Sequence, residues 1–552
     1  MTSSAAAQET RPRWLRPEWL VAALVVIALA LRLPLLGDPV WFDEACMSNQ
    51  RIGTFDQLVA TIYVDIHPPF WITFMHLWNR LFGDGEWSLR LPPLLVGLAT
   101  IPLLFVTGRR LVGETAALWA AALLALSPAH VWYSAEGRLY TALAFTALLA
   151  VWSFGRILVR RDRRLWVFAL HVLNIAVMLA LHYYLAIYVV LLAAIAPLVA
   201  RGFSRSALRL LCWHGFGLLL LAGFVFAKQR LGEFETSQEY LRELLPQGLY
   251  DLFFVWNWTG NALPPLGLHP ALARWLPEGL ALGLVGLGIV HLLGSQRRHR
   301  LGVYVPAFAL TIPAFLVLSA WAGLGHTFIE RSCLPSLPFF LLIVGAGIAW
   351  LPRRLGYAIG GLALLLAGAA DASMYAHRQT HWTVYKPKPD WRAAARWLGE
   401  EIDRGGDGRA VFTSMPNARP LPYYDVRIQD EKNLLPPMTP DEIRAKVGKH
   451  LGSMVGDFAG RFFERFQAHN RALLEGAKLR LYKSRSEPDA LRRGGHLGRG
   501  ESDGICYLLQ NLWHPPRDAD TTVEDLLENP KVEVLESHEF PGIRVYKVRI
   551  AP

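Results

Sequence analysis

Two adjacent acids, Asp43 and Glu44, stand in the run Trp41-Phe42-Asp43-Glu44-Ala45, directly after the first long apolar stretch of the chain. A carboxylate beside a bilayer is costly unless water, a cation or a substrate compensates it, so acids here point to function more strongly than acids on a solvated surface. Glu44 points away from Asp43 if the segment is extended, and toward a neighbouring face if it is helical. Asp65 and His67 follow, with Pro68 and Pro69 fixing the backbone behind them. An acid and a histidine two apart can converge on a phosphate, a metal or each other, or simply form a turn before the next helix. A third group is Glu136, Arg138 and Tyr140, where an acid can bind sugar hydroxyls and a guanidinium matches phosphate geometry. The blander alternative is an ion pair that positions a helix. His182 and Arg331 are weaker members, since aromatics form interface belts and a terminal arginine often snorkels.

The elements that hold these residues are membrane spans. Of 552 residues 53% are hydrophobic and only 18% charged, with mean hydropathy +0.26, too apolar for an ordinary soluble globule. A span needs about 20 mostly apolar residues. About eleven such stretches are read, at 19–36, 89–107, 116–131, 139–158, 165–182, 184–199, 208–227, 277–293, 303–322, 334–351 and 355–373. Arg32 interrupts the first, and no small-residue cleavage site follows it cleanly, so it reads as a retained span rather than a signal peptide.

Orientation follows from the basic residues. Arg11, Arg13 and Arg16 precede the first span, and every second loop is again basic, with Arg109 and Arg110, 160–164, 201–209, 297–300, and Arg353 and Arg354. Basic loops face the cytoplasm, which puts the N-terminus inside and the tail from about residue 374 outside a cell (inner) membrane. The net charge of +11 is therefore a topology signal rather than a nucleic-acid surface. The four scattered cysteines indicate neither a zinc site nor a disulfide framework.

On the opposite side lie polar loops. The first, 38–88, carries Asp43, Glu44, Asp65 and His67 and a helix-period stretch at 71–82 expected to lie along the interface. The same count puts Glu136, Arg138, His182 and Arg331 on that side. A second outer loop, 228–274, holds Trp256, Asn257 and Trp258. The sequence divides into a membrane catalytic domain, 1–373, and an extracytoplasmic α/β domain, 374–552. Within the latter, helix patterns appear at 391–403 and 440–475 and strand patterns at 409–413, 505–510, 531–535 and 543–550. The glycine-rich piece 494–500 has no strand before it or helix after it and reads as a loop, not a phosphate cradle.

The motifs WFDEA, DIHPPFW and LSPAHVWYSAEGRLYTAL resemble the bacterial GT-C glycosyltransferases related to dolichyl-phosphate-mannose protein mannosyltransferases and to lipid A aminoarabinose transferases. The resemblance covers the first 160 or so residues; later, ERSCLPSLPFFLLIV and KPDWRAAARWL are similar to family segments. Two departures stand out: Ser332 follows Arg331 where the family often has tyrosine, and Gly137 separates Glu136 from Arg138 where it commonly has alanine. The stretch 429–499 resembles nothing placed.

The resemblance implies a GT-C polytopic helical fold, a polyprenyl-phosphate sugar donor, an active site at the outer face, and Asp43 nearest the chemistry. Sugar transfer needs a base for the acceptor hydroxyl, which suits a carboxylate, and neutralisation of the departing phosphate, which Arg138, His67 or a divalent cation can supply. Single displacement with one base inverts the anomeric centre. The remaining candidates, Glu44, Asp65, Glu136, Tyr140, His182 and Arg331, are expected to bind substrate. The metal site is unknown and the acceptor is a glycan, a lipid or a protein. A transporter is the main rival, but transporters tend to carry mid-membrane charges and repeated halves, whereas these acids cluster at one face.

Overall fold

A computed structural model describes residues 16–65, 67–231, 270–294, 301–321, 330–377, 388–406, 409–413, 420–429, 439–483, 504–512 and 522–551. Seven helices are long and apolar enough to cross a membrane, with the bent pair Glu114–Ala125 and Pro128–Ser134 as an eighth candidate. Three shorter apolar helices, Leu165–Leu181, Leu185–Ala200 and Gly279–Gly294, fall on the remaining sequence stretches. The loop around Trp256 and the glycine-rich 494–500 lie outside the described residues, as does His326.

Small residues let these helices approach. A Cβ added to Gly345 would stand 2.2 Å from the carbonyl oxygen of Ala116, and one on Gly347 2.1 Å from that of Leu284. Leu337–Trp350 is thereby wedged between Glu114–Ala125 and Pro270–Gly294 and is almost wholly buried. Substituting either glycine forces those backbones apart.

One expected span is corrected. The stretch read as continuous over 116–131 breaks after Ala125 and bends by 58°, because Pro128 has no N–H to continue the ladder and disfavours a helical residue before it. Ser127 is extended, with φ −68° and ψ 117°. The bend turns Pro128–Ser134 toward the loop side and delivers Glu136 to Arg138 there. Prolines elsewhere are absorbed. In Glu86–Leu111 the missing N–H of Pro92 frees the Ser88 carbonyl, which accepts from Trp78 Nε1 at 3.0 Å, and the Pro93 carbonyl accepts from the Thr141 hydroxyl at 3.0 Å.

The C-terminal part is a six-stranded mixed sheet of β1 (Ala410–Thr413), β2 (Ile428–Gln429), β3 (Leu479–Lys483), β4 (Ile505–Asn511), β5 (Val532–Phe540) and β6 (Ile543–Ile550), in the order β2-β3-β1-β4-β6-β5. β1 pairs in parallel with β3 and β4, is buried on both faces and reads as the continuous apolar run Ala-Val-Phe-Thr. Trp391–Glu401 covers one face, capped by Asp390, whose carboxylate accepts from the Ala393 amide at 3.0 Å. Thr522–Glu528 covers the other. The helix pattern at 440–475 is two helices, Pro440–Leu451 and Ser453–Glu475, folded back at Gly452, whose φ of +90° suits only glycine. β2 and β3 were not read from sequence: one has two residues and the other alternates charges with leucines.

The sheet part is fastened to the first loop. Arg392 pairs with Glu86 at 2.5 Å, and Tyr424 donates to Glu86 at 2.5 Å while accepting from the Val40 amide at 2.6 Å. Tyr423 donates to the Asp84 carbonyl at 2.8 Å, and Gln50 to that of Pro422.

Candidate active site

Phe42–Ala45 is one turn of helix, so neighbouring acids point about 100° apart. Their fates then diverge. Glu44 is fully buried, and every one of its partners comes from a different piece of chain. Arg90 grips it at 2.8 Å through Nε and again through Nη2; Lys388 Nζ approaches at 2.8 Å, the Gly137 amide at 2.8 Å and the Trp41 amide at 3.1 Å. Burial alone would raise its pKa; Arg90 and then Lys388 outweigh that and hold it well below the usual carboxylate range. Arg90 spends its other donors on the carbonyls of Leu36, Asp38 and Pro39 at 2.8, 2.6 and 3.0 Å. Expected to bind substrate, Glu44 instead has both oxygens committed to the protein.

Asp43 is the opposite case. Its side chain is 17% exposed, and Arg331 Nη1 stands 3.1 Å from Oδ2 without the alignment of a hydrogen bond. Burial pushes its pKa up, and Arg331, Arg138 and His67 more than reverse the effect, so it is charged at neutral pH. Arg138 reaches the Asp43 carbonyl only at 3.5 Å and leaves its buried Nε unpartnered. Arg331 also lies over the Tyr140 ring, 5.4 Å from its centre, and Tyr133 packs edge-on against that ring at 4.9 Å.

Asp65 Oδ1 accepts from both the His67 amide at 2.8 Å and His67 Nδ1 at 2.9 Å. A carboxylate can only accept, so Nδ1 carries the proton and Nε2 is presented outward. Burial would raise the Asp65 pKa, but His67 depresses it strongly. The His67 ring packs edge-on to His182 at 5.6 Å. Lys228 donates to the carbonyls of Asp65 and His67, closing this corner.

Glu136 is buried with Oε1 unpartnered. Burial raises its pKa to about 7, opposed by Lys388 and assisted by Glu44. Gly137 between Glu136 and Arg138 brings its amide to Glu44, and an added Cβ would meet the Leu89 carbonyl at 3.1 Å, a tight contact. Asp43, Asp65, His67, Glu136, Arg138, Tyr140, His182 and Arg331 are therefore linked in one cluster by charge and ring contacts.

Sequence reasoning missed three cations, Arg90, Lys388 and Lys228. Arg90 in a proline-flanked span and Lys388, the lysine of KPDWR, carried a signal, a charge at the edge of an apolar or ordered segment. Among the described residues no three His, Cys, Asp or Glu side chains converge to hold a metal ion.

Residues 66–227 match the family model described as dolichyl-phosphate-mannose-protein mannosyltransferase. No curated protein sequence matches the chain. Apo ArnT from Cupriavidus metallidurans has a similar structure, with TM-score 0.52 at 12% identity over 96% of this chain and 98% of that one. The undecaprenyl-phosphate-bound form of that ArnT gives 0.48 at 13% identity over 96% and 97%. The apo oligosaccharyltransferase from Archaeoglobus fulgidus gives 0.43 at 14% identity over 79% of this chain and 69% of that one. The fold is of GT-C type, a helical membrane domain with a C-terminal α/β sheet.

Proposed function

We propose that the chain is a glycosyltransferase that moves a sugar, a hexose or a pentose, from a polyprenyl-phosphate carrier to a hydroxyl of a glycan, lipid or protein acceptor. The observation that carries this reading is the partly exposed, charged carboxylate of Asp43 beside Arg331, Arg138 and His67. An acid to take a proton and cations to hold a phosphate are the two requirements of the reaction. The family model that spans 66–227 supports the donor class, and all of His67, Glu136, Arg138, Tyr140 and His182 lie within that stretch.

In the proposed reaction the acceptor oxygen attacks the anomeric carbon as Asp43 takes its proton. The bond from that carbon to the phosphate oxygen breaks, and the electron pair leaves with the lipid phosphate. Arg138, with Nε unspent, and Arg331 neutralise the departing anion. One displacement inverts the anomeric configuration. Glu44 performs no step: it ties the first loop, the Glu86–Leu111 helix, the 136–138 turn and Lys388 into a fixed frame. The site lies on the side away from the cytoplasm, with residues 1–373 as catalytic domain and 374–552 as the outer domain.

The test is a panel of labelled polyprenyl-phosphate sugars, offered to the protein in nanodiscs with a membrane extract. Transfer with equimolar release of carrier phosphate and an inverted product is expected. Solute flux in proteoliposomes without any transfer would overturn the reading in favour of a transporter.

A further inference from the structure

The helical hairpin Pro440–Leu451 and Ser453–Glu475 belongs to the stretch that resembled nothing in sequence, and no step of the reaction uses it. Its inner face is accounted for: Ile443, Val447 and Phe463 bury against Ala60 and Tyr63 of the first loop. Nearer the reversal, a different face of Ser453–Glu475 carries apolar residues that are uncovered. Met454 is 81% exposed and Phe458 56%, with Val455 between them, at spacings that put all three on one side of the helix. They sit on the two turns after the Gly452 reversal, at the tip of the hairpin.

Two observations say what covers them. Pro440–Leu451 packs against Arg205–Leu231, a candidate span that presents Trp213, Phe216, Leu219, Leu220 and Phe226 outward and is the least buried of the seven. Lys228, near the end of that helix, donates to carbonyls of the first loop, which sets the hairpin level with the end of a lipid-facing helix. The charge is also of the right kind. From Ile443 to Gly456 there is no acid, while Arg444, Lys446, Lys449 and His450 flank the tip.

We propose that the hairpin tip is an interfacial anchor, with Met454, Val455 and Phe458 immersed in the outer leaflet and Lys446 and Lys449 on anionic lipid headgroups. An apolar stripe bordered by lysines is the pattern of a helix lying in the headgroup boundary. The anchor holds the first loop, and with it Asp65 and His67, at the depth where a lipid phosphate resides. This rests on the outward orientation proposed above.

The experiment places a spin label on Met454→Cys, Phe458→Cys and Glu464→Cys of the full chain, in a Cys212→Ser background, in nanodiscs. Labels at 454 and 458 are expected to collide several-fold more with oxygen than with a water-soluble nickel chelate, the reverse holding at 464. Immersion should decrease when anionic lipid is replaced by zwitterionic lipid. Nickel accessibility at 454 and 458 equal to that at 464, or protection by a soluble acceptor rather than by lipid, would overturn the anchor. An impermeant maleimide on Glu464→Cys in right-side-out vesicles reads orientation separately: no labelling refutes the outward reading while leaving immersion intact.

Discussion

Asp43 and Glu44 are neighbours of the same chemistry, and the molecule treats them as opposites. Around Glu44 every lone pair is spoken for: Arg90, Lys388 and two amides converge on a carboxylate with no exposure. Around Asp43, Glu136 and Arg138 the accounting is left open, with Oδ2, Oε1 and Nε all buried and without hydrogen-bond partners. A buried polar group normally finds a partner, so a saturated cluster reads as architecture and an unsaturated one as a place built for something that arrives later. The difference teaches that charge density alone does not distinguish the two acids; residual hydrogen-bonding capacity does.

The contrast is sharpest in paired substitutions. Asp43→Asn should lower transfer by about 10²–10⁴-fold, the range for loss of a positioned base, with an unchanged melting temperature. Glu44→Ala should do the reverse in kind: it strands Arg90 and Lys388 in the interior and costs about 3–5 kcal/mol of stability, seen as lost folded yield and a lower melting temperature. Equal melting temperatures for the two variants would erase the distinction.

Next in size is the lipid phosphate. Arg138→Lys keeps the charge but loses the planar fork, and should raise KM for the donor about tenfold while altering kcat less. Glu136 gives a pH signature. Its folded pKa, about 7, lies above the ordinary carboxylate value, so the native state holds a proton that the unfolded chain has released. Stability is therefore greatest below the ordinary carboxylate range and falls as pH rises toward about 7, levelling off above it. Thermal melts of Glu136→Gln should lack this decline. The smallest effect is at the seam between sheet and loop. Tyr424→Phe removes two hydrogen bonds, to Glu86 and from Val40, and should cost about 1–2 kcal/mol with KM and kcat nearly unchanged.

Much of this was legible in the sequence because membrane constraints are coarse. Span length, basic loops and the WFDEA and AEGR motifs singled out residues that the fold brings into one cluster, without knowledge of any contact. What was not legible depends on distant partners. Nothing in WFDEA distinguishes the structural acid from the open one, because the cations that decide it, Arg90, Lys388 and Arg331, are 46, 344 and 288 positions away from their acids or farther along unrelated segments. The break at Ser127-Pro128 was readable in principle, yet hydropathy runs through it. β2 and β3 escaped because parallel strands are fixed by neighbours rather than by their own few residues.

The most direct test of the account is single-turnover transfer by Asp43→Asn beside wild type in nanodiscs, from one labelled polyprenyl-phosphate sugar, with bound donor quantified in the same sample. A folded variant that still binds donor but fails to transfer is the predicted result. Transfer within a few-fold of wild type would contradict the assignment of Asp43 as the base, and with it the division between the open acid and the closed one.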